Sequence, residues 1–187
     1  MVGGGIRPGD AGTRPNGEHI LLDGERVHLR PVVPGDRERL RSILAEPSVA
    51  RWWDTDDPDE AVDGWLDHRD DVFAFAIELD GEVIGSIQFA EETEPEYRHA
   101  GIDLFLATAS QGRGLGPDAI RALARYLMDV RGHHRLTIDP AATNERAIRA
   151  YERVGFRRVG VMRSYERGAD GTFHDGMLLD LLRGELR

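Results

Sequence analysis

The chain contains no cysteine, which removes disulfides, thiolate metal ligands and any acyl-cysteine intermediate at once. It is also short of positive charge: 24 Lys and Arg stand against 34 Asp and Glu, a formal net charge of −10. Such a surface repels nucleic acid and anionic membrane and attracts a cationic partner. The same excess suits any soluble acidic protein, so it informs about function only if the acids cluster at a site. No run approaches the roughly 18 consecutive apolar residues of a membrane span. The N-terminal stretch carries Gly3, Gly4, Gly5, Pro8, Gly9, Gly12, Pro15 and Gly17 without the apolar core of a secretory signal. Residues 1–22 are therefore expected to be a flexible tail, and the protein to be cytoplasmic. Among seven histidines, His133 and His134 are adjacent and on a strand aim at opposite faces. No carboxylate–histidine spacing supports a chelate, so no metal is expected.

What is present fits a single domain over residues 23–187. Asp23-Gly24, Asp80-Gly81 and Asp170-Gly171 each read as a two-residue hairpin turn. Helical patterns cover 34–44, 57–68, 116–130 and 144–154. The third places Ala119, Ile120, Leu123, Ala124, Leu127 and Met128 on one stripe. Strands are expected at 72–79, 82–90, 101–106, 135–138, 157–166 and 172–182. The order implies an α/β domain: a largely antiparallel sheet flanked by helices.

Between the strand at 101–106 and the helix that follows lies Gln111-Gly112-Arg113-Gly114-Leu115-Gly116. Glycines let backbone N–H groups approach a ligand closely, and a helix start adds positive dipole. Successive amides here can form a nest for a pyrophosphate, with Arg113 as an added charge. A dinucleotide fingerprint would need glycine where Pro117 stands, and there is no Gly-Lys-Ser/Thr ending for a nucleotide P-loop. The remaining Gln-x-x-Gly-x-Gly pattern resembles the acetyl-CoA loop of the GNAT acetyltransferase superfamily. Asn144, Ala147, Tyr151, Gly155 and Phe156 match the superfamily's second motif, and the resemblance spans roughly residues 26–183. Gly101-Ile102-Asp103, Ala107 to Gln111, Ile138-Asp139-Pro140 and Trp52-Trp53 are similar to the aminoglycoside 6′-N-acetyltransferases. The acidic, tryptophan-containing insertion of those enzymes is reduced here to residues 91–96.

The resemblance implies a GNAT fold with acetyl-CoA in the splay between the family's fourth and fifth strands. It implies cofactor contacts from Phe105, Leu106 and Ala107, from Gln111 through Gly116, and from Asn144, Ala147 and Tyr151. Asp103 is either a structural partner of an arginine such as Arg98 or, as the resemblance implies, the group that receives the substrate ammonium and takes its proton. Asp139 reads equally as a turn former and as a substrate contact. Glu91 and Glu92 suit a solvated hairpin end or the mouth of a cleft. Of Trp52 and Trp53, one is expected in the core and one as an apolar wall under a sugar ring. Tyr151 falls on an apolar helix stripe, and the superfamily makes it the acid that protonates the departing thiolate. Asn144 suits an N-cap and a cofactor contact together.

The expected activity is acetyl transfer from acetyl-CoA to a small cationic amine, with an aminoglycoside as first choice, by a monomer or homodimer. The rivals are acetylation of a peptide N-terminus or polyamine, and a catalytically idle acyl-CoA-binding module.

Overall fold

The computed structural model describes residues 20–53, 57–67, 72–168 and 170–187. Its elements run β1 (Leu22–Asp23), β2 (His28–Pro31), α1 (Arg37–Leu44), α2 (Pro47–Ala50), α3 (Pro58–Leu66), β3 (Phe73–Leu79), β4 (Glu82–Glu92) and β5 (His99–Leu106). There follow α4 (Leu115–Arg125), β6 (Arg135–Ile138), α5 (Glu145–Val154), β7 (Arg157–Arg167) and β8 (Phe173–Leu182). The strands form one eight-stranded sheet in the order β1-β2-β3-β4-β5-β6-β8-β7. All neighbours are antiparallel except β5 and β6, which pair in parallel only at Ala100–Leu136 and Gly101–Thr137. Beyond that short contact the two strands part.

Alternation along β5 sends Ile102 into the main core, with Leu104 and Leu106 packed against it. Phe105 goes to a second core with Leu40, Ile43, Leu44 and Trp65 from α1 and α3. The sheet is thus covered on one face by α4 and on the other by α1 and α3. Every member of the expected α4 stripe is buried, with Leu123 and Leu127 fully so. Each such leucine stabilises the fold by about 1.5–3 kcal/mol. After Arg125 the helix widens into a π-turn, Tyr126–Val130.

Only one of the three Asp-Gly pairs makes a two-residue turn. Between β3 and β4, Asp80 (φ 54°) and Gly81 (φ 81°) both take the left-handed conformation that a type I′ turn demands. The loop at Gly24 runs on to Val27, because buried Asp118 of α4 accepts the N–H groups of Glu25 (2.7 Å), Arg26 (2.8 Å) and Val27 (3.1 Å). A carboxylate holding three amides ties β1 and β2 to α4. At Asp170 the strands close earlier, at Arg167 and Phe173, around an Asp170 carboxylate that binds Thr172 and His174. Of the residues expected in the tail, Ile20 and Leu22 pack against the core, while residues 1–19 lie outside the described residues.

Glu91 does not face a cleft. Its carboxylate accepts from Arg131 (2.6 Å) and is 2.5 Å from Nε2 of fully buried His133, which locks the end of β4 to the turn after α4. Glu92 is exposed, and its Oε1 accepts the N–H of Glu94. Arg98 is no partner for Asp103, since it donates to the carbonyl of Arg131. Burial pushes the Glu91 carboxyl up, but hydrogen bonds from His133 and Arg131, and their charges, bring it down to about 2 from an ordinary 4.5. A depressed carboxyl stabilises the fold above its unfolded value and loses that contribution as pH falls through the folded one. Glu91→Gln should therefore cost about 2–3 kcal/mol at pH 7. Urea unfolding should show the gap between variant and wild type shrinking between about pH 4.5 and pH 2.

Candidate active site

Where β5 and β6 part, a cavity of about 790 Å3 opens. Its walls are β5, the loop into α4, α5, the segment after β6, and β7. An antiparallel ladder alternates which residues turn their main-chain groups to a given neighbour. Ala107 donates its N–H to the carbonyl of Ile84 (2.8 Å), so Phe105 and Ala107 turn their main chain toward β4. Leu106 is left on the open edge. Of the three expected cofactor contacts here, Phe105 and Leu106 line the cavity and Ala107 does not.

The glycine loop follows directly. Gly112 (φ 75°) and Gly114 (φ 81°) are both left-handed, and a Cβ added to either would meet nothing. The chain here needs glycine for its conformation, and both glycines line the cavity. Gly116 lies in the first turn of α4, close enough to Leu104 and Leu106 that an added Cβ would sit 3.6 Å from each. Gln111 pins the loop: its Nε2 donates to the carbonyl of Leu106 (2.8 Å) and its Oε1 accepts from Arg146 (2.6 Å). Arg113 and Leu115 lie off the cavity. Leu115 is buried in the core, and the carbonyl of Arg113 accepts from Arg26. Arg146 and Arg153 of α5 line the cavity instead. They were missed because helix facing, unlike a motif, depends on what the helix packs against.

On α5, Asn144 caps the helix by accepting the N–H of Ala147 (3.2 Å). Asn144, Ala147 and Tyr151 all line the cavity. Desolvation, with the nearby charges of Asp103 and Asp139, drives the Tyr151 hydroxyl far above the ordinary tyrosine range. It is a neutral phenol at any physiological pH, and so a proton donor.

Asp103 stands on β5 with its carboxylate at the open cleft and Gln88 of β4 hydrogen-bonded to it. Desolvation by the surrounding walls raises it to about 6; the charges of Asp139 and Glu166 add to the rise, and the Gln88 bond opposes it. Asp139, half-buried at the end of β6, also lines the cavity, and the Tyr165 hydroxyl is hydrogen-bonded to it. That bond, with desolvation behind it, moves Tyr165 up to about 12. Tyr165 and Glu166 come from β7 and were not legible as site residues, because only the curl of the final hairpin brings them here. Trp53 packs edge-on against Trp65 and Phe105 (ring centroids 6.2 and 4.9 Å), so it is the inner one of the tryptophan pair. Trp52 lies under the Arg51 guanidinium (4.4 Å), and both indoles border the cavity.

This arrangement joins a left-handed glycine loop, a neutral phenol and a carboxylate raised to about 6 within one cleft. It suits proton removal from an ammonium at one end and proton donation at the other. Residues 26–157 match the family described as the acetyltransferase (GNAT) domain. The chain is 31% identical over 162 residues to the aminoglycoside N(6′)-acetyltransferase type 1 of Klebsiella pneumoniae, covering 76% of this chain and 80% of that one. It is 28% identical over 136 residues to the spermidine N(1)-acetyltransferase of Escherichia coli, covering 70% and 72%. Mycobacterium smegmatis RimJ, solved in complex with CoA-disulfide, superposes with a TM-score of 0.80 at 24% identity, covering 89% of each chain. With its strands parted beside a glycine loop and residues 26–157 matched, this chain belongs to the GNAT acetyltransferase family.

Proposed function

We propose that the protein transfers an acetyl group from acetyl-CoA to a primary amine of a polycationic acceptor, the 6′-amine of an aminoglycoside being the reading best supported. One observation carries it: the carboxylates of Asp103, Asp139 and Glu166 lie along the same cleft as Tyr151 and the glycine loop. A peptide N-terminus brings one ammonium to that row, whereas an aminoglycoside or a polyamine brings several. Trp52 adds an apolar wall suited to a sugar ring, which favours the aminoglycoside over the polyamine.

The fit to the cofactor rests on the open cradle at Gly112 and Gly114 and on the unpaired edge of β5. The amides of residues 112–116 would hold the pyrophosphate at the start of α4. Acetyl-CoA, when bound, supplies an acetyl group activated as a thioester. The N–H of Leu106 on the open edge is the donor available to the thioester carbonyl. Asp103 binds the acceptor ammonium and takes one proton, leaving a neutral nitrogen whose lone pair attacks the carbonyl carbon. As the new C–N bond forms and the C–S bond breaks, Tyr151 gives its proton to the departing sulfur. The nitrogen sheds its remaining extra proton to solvent, Asp103 releases the proton it took to solvent, and the tyrosine is reprotonated from solvent.

Each assignment has its own test. Gly114→Asp places a side chain and a negative charge in the cradle at a left-handed position, so acetyl-CoA affinity measured by calorimetry should fall at least about tenfold. An unchanged affinity in the folded variant would remove the loop from the cofactor site.

Tyr151→Phe should keep cofactor affinity and lower kcat by about 10- to 100-fold. Rapid-quench and steady-state rates at pH 7 that match wild type would reduce Tyr151 to a packing role.

Asp103→Asn should lower kcat/KM about 10- to 150-fold by loss of the ammonium contact, with acetyl-CoA affinity unchanged. Because the Asp103 carboxyl lies at about 6, the wild-type rate should climb as pH rises through that value, and the variant should lack the limb. The same assay, run as thiol release on kanamycin, spermidine and a neutral-side-chain peptide at two ionic strengths, tests the acceptor. The cationic acceptors should show KM rising with salt. Fast turnover of the peptide alone would overturn the acceptor assignment.

A further inference from the structure

On a regular strand, two consecutive residues point to opposite faces. Tyr165 and Glu166 are consecutive on β7, yet both line the cavity. The ladder explains how. Met162 pairs with Gly176 and Glu166 with His174, so four steps along β7 are set against two along β8. The surplus forms a bulge at residues 163–165, and a bulge re-aims the side chains it carries. At its apex Ser164 has φ 49°, a left-handed conformation that a non-glycine residue holds only when its surroundings enforce it.

The enforcing contacts centre on Asp175 of β8. Its Oδ1 accepts the N–H of Ser164 at 2.8 Å. Its carbonyl accepts the N–H of Ala142 (2.8 Å), and the next link, from the N–H of Met177 to the carbonyl of Pro140, is also 2.8 Å. Asp175 therefore joins the bulge to the segment that follows Asp139, whose carboxylate the Tyr165 hydroxyl engages. Gly176 leaves the space that the bulge occupies: an added Cβ would lie 2.9 Å from Cδ1 of Tyr165 and 3.2 Å from Cε of Met162.

We propose that Asp175, through the β7 bulge that it holds at Ser164, is a positioning residue for acceptor recognition, setting Tyr165 against Asp139 and Glu166 beside Asp103. The proposal rests on the reading of Asp103 and Asp139 as the acceptor site. The hydrogen bonds of the bulge run to Asp175 and Asp139 rather than to the glycine loop or α5, so disturbing it is expected to separate acceptor affinity from cofactor affinity.

The test measures kanamycin and spermidine affinity by calorimetry on the CoA-saturated protein, together with the KM for each substrate and thermal melting. Asp175→Ala should weaken acceptor binding about tenfold and leave the KM for acetyl-CoA unchanged. Asp175→Asn keeps an oxygen for the Ser164 N–H and should restore acceptor binding to within about threefold of wild type. Gly176→Ala forces the Tyr165 ring aside without touching Asp175, and should reproduce the acceptor defect even if Asp175→Ala does not fold. Acceptor affinity unmoved in the folded variants, or an equal loss for acetyl-CoA, would overturn the proposal. Asp103→Asn run alongside separates the two levels. An amine affinity indifferent to it overturns the acceptor-site reading and this proposal with it. A response to Asp103→Asn but not to Asp175→Ala or Gly176→Ala overturns the positioning role alone.

Discussion

The site depends on a pairing that stops early. β5 and β6 run parallel and share only the pairs at Ala100 and Gly101, after which, among the described residues, the main chain of β5 has no strand beside it on that edge. A paired edge would fill the cleft with ladder hydrogen bonds. An open edge leaves a donor at Leu106, a floor for the cavity and a place for the glycine loop to turn away into α4. The divergence survives because each strand is satisfied on its other side, β5 by eight register pairs with β4 and β6 by four with β8. Buried packing against α4 holds β5 in place while its other edge stays free.

Three acidic side chains show how environment divides one chemistry into separate roles. Asp118 gives its carboxylate to three backbone amides and closes a loop. Glu91 gives its own to Arg131 and His133, and its proton is held off to about 2. Asp103 has a hydrogen bond from Gln88 and sits in a cleft with the like charges of Asp139 and Glu166, and its carboxyl is raised to about 6. The first two are bound into the fold, whereas the third is left with unmet demand for a cation. That unmet demand, rather than the net charge of −10, is what points toward an ammonium.

Much of the fold could be read from local pattern. The α4 stripe, the I′ turn at Asp80-Gly81, the cap at Asn144 and the strand spans depend on side-chain periodicity and backbone preference, which act within a few residues. The readings that failed depended on distant partners. Asp23-Gly24 resembles a tight turn until Asp118, 94 positions later in chain order, supplies the carboxylate that holds the loop open. Glu91 resembles a cleft residue until His133 and Arg131 arrive from the far end of α4. Arg113 follows the loop motif but lies off the cavity, while Arg146 and Arg153, which belong to no loop motif, border it.

The sequence by itself determined the frame of the side proposed for the cofactor: the glycines whose φ values the loop needs, the helix that starts behind them, and Tyr151 seven residues after its cap Asn144. These are short-range relations, and the backbone enforces them wherever the chain goes. On the side proposed for the acceptor, the resemblance already pointed to Asp103 and Asp139, and only the tertiary structure added Tyr165 and Glu166. Asp103 stands on β5, Asp139 just after β6, and Tyr165 and Glu166 on β7, and the last two share the cavity through a bulge held by a carboxylate on the next strand. No local spacing encodes such a set, because its members meet only after β7 and β8 have paired and curled back over the parted edge.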